Sequence, residues 1–456
     1  MEPSPYRLRR GFNYDDLFGR GLTGENLLKD KTKMGLNQFG NQAKIELRLE
    51  LQKKYDQFKA RTLSLDITRG KPCAEQLDLS LDMLTCVNQN HYKTQNGTDC
   101  RNYGGLDGIP EAKTLFAEFM EVDPNEIIVG GNSSLNMMYN TILHALLKGV
   151  GPNSIPWSRQ PMVTFLCPSP GYDRHFFICE NLGIKMIPIK MNNQGPDMDQ
   201  IETLVAKDES IKGIWCVPKY SNPTGCVYSD DTVERLAAMP TAADDFRIFW
   251  DNAYAHHHLT DECIPVKNLL TACKNAKNPD RALMFGSTSK ISFAGAGVAM
   301  LAASTTNIAM IKKIMSFQGI GPDKLNQLRH VLFFKNMDGI KAHMQKHAKI
   351  LKPRFDAVQL ILEQELAGLG VATWSRPKGG YFISVDTPNG CAKKIVAMAA
   401  KAGVKLTPAG NTFPYNKDPD DCNIRIAPTF SPLDDIGPAM ELVTICIKLA
   451  ALEGCG

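Results

Sequence analysis

Short apolar runs that stop at glycine, proline or a polar residue alternate with amphipathic stretches through the middle of this chain, and this alternation constrains the fold most. Strands covered on both faces read as continuous apolar segments, whereas a half-solvated sheet reads polar, apolar, polar. Residues 127–129, 163–167, 185–189, 213–217, 247–250, 282–285 and 298–302 fit the first description. Helical patterns lie between them, and in 133–147 the residues Leu135, Met138, Tyr139, Ile142 and Leu146 share one face. The expectation is an α/β fold: a three-layer α/β/α large domain with a mostly parallel central sheet.

A second unit follows. A helical stretch at 339–366 contains Pro353, whose missing N–H and ring clash predict a kink. After it come GGYFISVD, a helix near 391–401, VKLTP, NIRIAPTF and a closing helix at 435–452, which together read as a smaller α+β domain. Two domains suit 456 residues, since single cores stop growing well below that length. The expected organisation is 1–80 as an N-terminal arm and first part of the small domain, 81–335 as the large domain, and 336–456 as linker helix and C-terminal small domain. Before a helical run at 42–58, Pro, Arg, Asp and Gly dominate, which predicts a poorly ordered arm.

Lys plus Arg exceed Asp plus Glu by 52 − 48 = 4, too small and evenly spread an excess for nucleic-acid or membrane-surface binding. Thirteen cysteines, an odd number without a C-x-x-C pair, read as reduced thiols of a cytosolic protein. The first twenty residues carry charges but no apolar stretch of the kind a secretory signal needs, and no later segment offers about 18 uninterrupted apolar residues, so a cytoplasmic protein with small-molecule partners is expected.

The chemistry-bearing segments sit at strand ends. GSTSK closes a strand with hydroxyl residues and Lys290, whose amine in an enclosed site can lose its proton and form a Schiff base. FRIFWDNAY ends a strand with Asp251 and places Tyr254 three residues on; a buried carboxylate there needs a cation such as a protonated ring nitrogen, unless Asp251 caps a helix. Asn222-Pro223-Thr224-Gly225 is a turn whose amide can donate to a phenolate oxygen or merely shape the chain. GGNSS, with Asn132, Ser133 and Ser134, leads into a helix whose N-terminus suits a phosphate, and Ser133 as a plain cap is compatible with that. Tyr172 in SPGY either stacks on a flat heteroaromatic ring or belongs to the core. Arg425, in an alternating apolar strand, requires a carboxylate: a substrate α-carboxylate or an internal partner such as Asp421. His256, His257 and His258 cannot all face one ion and are expected to face solvent, with no metal bound.

Taken in order, N-Y-G-G at Asn102, G-N-S-S at Gly131, S-P-G-Y at Ser169, N-P-T-G at Asn222, D-x-A-Y at Asp251 and S-x-S-K at Ser287 resemble the fold type I, pyridoxal-phosphate-dependent aminotransferases. ITRGKPCAEQLDLS, RNYGGLDGIPEAK, GSTSKISFAGAGVAM and IGPDKLNQLRH look closer still to the type Ic aspartate aminotransferases, whose domain is also called MocR-like. The resemblance runs from Leu63 to the C-terminus. It implies pyridoxal 5'-phosphate held by Lys290 as an internal aldimine, with Lys290 later shuttling the α-proton. Asp251 would keep the pyridine nitrogen protonated, Asn222 and Tyr254 would bind the ring O3′, and Tyr172 would stack. Asn132, Ser133, Ser134, Ser287 and Ser289 would surround the phosphate, joined by Tyr103 from the neighbouring subunit of a homodimer. Gly70, Asn222 and Arg425 would bind substrate. The family's phosphate arginine is missing where this chain reads Gly295-Ala296-Gly297, and Lys324 and Arg329 are the candidates for a substrate's side-chain carboxylate.

The implied activity is ping-pong transfer of an amino group from aspartate to 2-oxoglutarate. The same cofactor would also serve alanine, an aromatic amino acid or kynurenine as donor, or β-elimination. A MocR-like regulator is the non-enzyme alternative, but the residues before the resemblance show no helix-turn-helix pattern or basic cluster.

Overall fold

The computed structural model describes residues 35–151 and 154–454; the expected arm at 1–34 lies outside the described residues. The strands in chain order are β1 (Leu65–Asp66), β2 (Ile127–Val129), β3 (Thr164–Ser169), β4 (Lys185–Asn192), β5 (Gly195–Pro196) and β6 (Ile211–Cys216). They continue with β7 (Arg247–Asp251), β8 (Ala282–Ser287), β9 (Ala299–Ala303), β10 (Thr373–Trp374), β11 (Ile383–Asp386), β12 (Val404–Lys405) and β13 (Asn423–Ile426). The central sheet runs β2-β9-β8-β7-β6-β3-β4-β5. Its interior pairs β8·β7, β7·β6, β6·β3 and β3·β4 are parallel, while β9 is antiparallel to both neighbours and β5 to β4.

Every predicted strand is present to within two residues at either end, except that β4 runs on to Asn192. Alternate side chains of one strand enter opposite cores. In β7, Ile248 and Trp250 join one core and Phe249 the other; in β8, Met284 goes one way while Leu283 and Phe285 go the other. Helices cover both faces, giving the expected three layers.

A separate core lies around the antiparallel sheet β10-β11-β13 and the parallel pair β1·β12. It gathers Leu51, Tyr55 and Phe58 from the helix Asn41–Ala60, Ile383 and Val385 from β11, and Val443 and Ile447 from the helix Leu433–Glu453. The helix Met337–Leu366 joins the two bodies: Met337, Ile340 and Met344 pack in the large core, Leu351, Phe355 and Val358 in the small one. It continues through Pro353 as one assigned helix.

Eleven described cysteines are free, but Cys391 is disulfide-bonded, which corrects the expectation of reduced thiols throughout. Among the described residues no helix is long and apolar enough to cross a membrane.

Candidate active site

The parallel strands deliver their functional residues to one edge, the carboxyl ends where α/β sheets place ligand sites. β3 leads to Tyr172, β6 to Asn222, β7 ends on Asp251, β8 ends on Ser287 with Lys290 three residues later, and β2 leads to Ser133 and Ser134. A cavity of about 170 Å³ is lined by Ser133, Ser134, Tyr172, Asn222, Asp251, Tyr254, Ser287, Ser289 and Lys290, with Leu135, Met138, Val217 and Ala253 as apolar wall. Nine predicted site residues thus meet in one place.

Asp251 is 3% exposed. Its Oδ2 lies 3.0 Å from His175 Nε2, while its Oδ1 is buried without a hydrogen-bond partner. His175 is itself buried and stacks on Trp215, centroids 4.3 Å apart and planes 7° from parallel, so the carboxylate is held in one orientation. An orphaned carboxylate oxygen in an enclosed cavity is costly unless a cationic or donor group faces it. A protonated pyridine nitrogen is such a group, and Asp251 caps no helix.

The Lys290 amine makes no hydrogen bond among the described residues and sits 4.9 Å from the Tyr254 ring centroid. Burial lowers its pKa, and the Asp251 charge acts in the opposite sense. A larger share of neutral, nucleophilic amine follows. Tyr254 is buried, and desolvation holds its hydroxyl in the protonated, donor form.

Arg425 Nη1 lies 3.4 Å from Asn222 Oδ1 and 3.5 Å from Asp173 Oδ1, and Nη2 is 3.3 Å from Thr407 Oγ1. Its internal carboxylate is therefore Asp173 rather than Asp421. These contacts are long, and Nε has no partner, so the guanidinium keeps donor capacity. With Asn222 Oδ1 engaged by Arg425, the amide N–H groups of Asn222 stay available. Gly70 has no room for a side chain: an added Cβ would come within 2.0 Å of the Phe382 ring, which underlies Arg425 at 4.9 Å.

At the end of the cavity where the helix Ser134–Lys148 begins, Ser133 caps that helix, accepting from Asn136 N–H at 3.3 Å, and Ser287 Oγ donates to Ser289 Oγ at 3.1 Å. Asn132 is not in the cavity wall; its carbonyl accepts from Ser289 Oγ at 3.3 Å and its amide donates to Gly295 O at 3.3 Å, so it braces the loop. A Cβ on Gly297 would lie 3.1 Å from both Ser289 N and Thr288 Oγ1, so a side chain at that position would be tightly crowded. Anion binding here falls to hydroxyls and the helix N-terminus.

Tyr103 is 82% exposed and lies outside the cavity of its own chain, its expected role being toward a neighbouring subunit. Other expectations are corrected. Lys324 is buried, with Nζ donating to Asn102 O at 2.5 Å and Gly104 O at 2.8 Å, so it fastens the N-Y-G-G loop instead of meeting substrate. Arg329 is outside the cavity wall; its Nη2 donates to Asn326 Oδ1 and, at 3.4 Å, to Ala296 O, while its Nε is buried without a partner among the described residues. The histidine tract does not face solvent: His257 is 3% exposed with Nε2 3.2 Å from Lys290 O, His256 packs on Phe119 and His258 meets Tyr220.

A second group, unread in the sequence, holds the backbone of the reactive lysine. Gln76 Oε1 accepts from Cys73 N–H, so its amide nitrogen donates to His347 Nδ1 at 2.8 Å and to the Tyr381 hydroxyl at 3.0 Å. His347 must then carry its proton on Nε2, which lies 3.0 Å from Ile291 O, and His343 Nε2 is 2.9 Å from the same oxygen. His257 and, at 3.5 Å, Tyr381 reach Lys290 O. Two consecutive carbonyls are thereby gripped from the linker helix, the His tract and the small domain. The sequence signal was H-M-Q-K-H, an i,i+4 pair on one helix face.

Burial lowers the pKa of His347 to about 3 and also lowers those of His343 and His257. Such groups are neutral when folded and protonate first in the unfolded chain, so their stabilisation is complete above about pH 6.5 and is lost as pH falls toward their folded values. The urea midpoint should therefore drop between pH 7 and pH 4, and a His343→Gln/His347→Gln variant should show a shallower drop; an unchanged slope would remove the pair from the acid response.

The Aspartate amino-transferase family model matches residues 39–455. A Mycolicibacterium smegmatis protein with a provisional aminotransferase name is 51% identical over 404 residues, 88% of this chain and 94% of its own. Aspartate aminotransferase of Corynebacterium glutamicum is 44% identical over 404 residues, 89% of this chain and 93% of the relative. The crystal structure of an aspartate transaminase from that organism superimposes with a TM-score of 0.90 at 43% identity, covering 92% of this chain and 99% of the other. Given this cavity and these relatives, the chain belongs to the aspartate aminotransferase family of fold type I, pyridoxal-phosphate-dependent aminotransferases, and is an aminotransferase.

Proposed function

We propose that the protein binds pyridoxal 5'-phosphate in this cavity and moves the amino group of aspartate to 2-oxoglutarate as a homodimer. The observation that carries the reading is the unpaired Asp251 Oδ1 in one enclosed cavity with the unpartnered Lys290 amine. The name of the Corynebacterium relative supports the choice of aspartate. The cofactor, when bound, supplies an electron sink for the carbanion left at the substrate α-carbon.

The residues divide the remaining work. Asp251 Oδ1 would accept from the ring N–H while His175 holds Oδ2. Asn222 and Tyr254 would donate to the ring O3′, Tyr172 would cover a ring face, and Ser133, Ser134, Ser287 and Ser289 would take the phosphate. Lys290 Nζ would anchor the cofactor and serve as base for the substrate α-proton. Arg425 grips the α-carboxylate, with Gly70 keeping its surroundings open. Tyr103, Phe317 and Ile320 are all exposed, and Gly321 packs against the backbone of Gly104; exposed apolar side chains on these two segments favour a second copy that receives Tyr103.

Steady-state turnover of aspartate with 2-oxoglutarate tests the substrate, with alanine, kynurenine and aromatic amino acids as competitors. Aspartate should give the highest kcat/KM, and a better rival donor would overturn that choice. In Arg425→Ala, the KM values for donor and acceptor should rise by about 10- to 100-fold, as expected from losing a charged hydrogen-bonding pair of about 1.5–3 kcal/mol.

A further inference from the structure

A group of polar side chains outside the cavity takes no part in this chemistry. Lys219 is 8% exposed, and its one hydrogen-bond contact among the described residues is Cys263 Sγ, 3.9 Å from Nζ. A buried ammonium without a carboxylate calls for another anion. Burial lowers the Lys219 pKa, with Cys263 and then Glu121 acting in the opposite sense. Among the described free cysteines, Cys263 is the exposed one.

His258 approaches the same sulfur from a second direction. Its Nε2 is 3.3 Å from Cys263 Sγ, and its Nδ1 is 2.7 Å from the Tyr220 hydroxyl. Burial, then the charges of Cys263 and Glu262, raise the Tyr220 pKa and keep its O–H intact. Burial, then Lys219 and His256, lower that of His258 to about 4, so the ring is neutral at pH 7. The Tyr220 hydroxyl has His258 Nδ1 as its one acceptor among the described residues, so donation there satisfies the buried O–H, places the ring proton on Nε2 and points an N–H at the sulfur. Both hydrogen-bond contacts of Cys263 are then with donors, and its sulfur stays open to reagents. The neighbouring Glu262 is paired with Lys378 at 2.6 Å.

We propose that Cys263 is a modification site, a nucleophilic thiol activated by Lys219 and His258 that reacts with soft electrophiles of the hydroperoxide class. The sulfur, its proton lost to solvent, attacks one peroxide oxygen; an S–O bond forms as the O–O bond breaks. Sulfur gives up two electrons, and the departing oxyanion is protonated by solvent. The site lies on the seam between the domains, where His258 bridges Gly379 and Leu259 N–H donates to Lys378 O at 2.9 Å.

The test is the rate of iodoacetamide alkylation at Cys263 in the full-length protein, read by peptide mass spectrometry. At pH 7, Lys219→Met should react about tenfold more slowly than wild type, and the rates should converge at pH 10, where an accessible thiol is ionised without help. Loss of access would slow both, so equal rates at pH 7, or equal slowing at both pH values, would overturn the proposal. Should Lys219→Met not fold, the wild-type comparison decides: at pH 7, Cys263 must react faster in the native protein than in the urea-unfolded chain, and a slower native rate overturns activation. Hydrogen peroxide applied first should block Cys263, with dithiothreitol restoring it; an unblocked thiol overturns the hydroperoxide class.

Discussion

Lys290→Ala should lower turnover of any amino donor by at least about 10⁴-fold, because one amine is proposed both to hold the cofactor and to take the α-proton. The purified variant supplied with pyridoxal phosphate should also lack the lysine-dependent absorption between about 360 and 430 nm that wild type shows. The structure makes this loss hard to compensate. No second lysine lines the cavity, and the Lys290 amine has no hydrogen-bond partner among the described residues that another base could replace. Its backbone is fixed by His257, His343, His347 and Tyr381, so the alanine variant should fold with the cavity intact and melt within a few degrees of wild type. A folded variant that retains more than about a hundredth of wild-type kcat would show that Lys290 is not the base.

The strands were legible because both faces of the sheet are buried, which leaves runs such as IFW in β7 without a polar break. Strand order was not. The antiparallel insertion of β9 between β2 and β8 depends not only on the neighbouring pair Leu283 and Ala303 but on pairing of Ile127 with Ala302, partners far apart in sequence. Within the site, residues that line the cavity could be read from strand-end motifs, whereas those that hold them could not. His175 is marked only by following S-P-G-Y-D-R, and nothing local says that it meets Asp251. Consecutive histidines look like a solvated tract, yet the turn after β7 carries His257 inward to Lys290 O. Lys324 looked like a free cation because a sequence cannot show that two carbonyls of the N-Y-G-G loop already occupy it.

Asp251→Asn should separate charge from shape and cost about 10³-fold in kcat, an expectation set by the weight of electrostatic stabilisation in enclosed sites. An asparagine has nearly the volume of aspartate and can still offer one oxygen to His175, so the stack of His175 on Trp215 should persist. What it lacks is the negative charge that would hold a proton on a ring nitrogen facing Oδ1. Removing a buried, half-partnered carboxylate should leave the cofactor-free melting temperature unchanged or raise it, since its desolvation cost disappears with it. Lower kcat together with undiminished stability would identify a charge acting on the reaction. Undiminished kcat would reduce Asp251 to a support for His175, and a fall in both quantities would mean that the carboxylate is needed to hold the end of β7 in place.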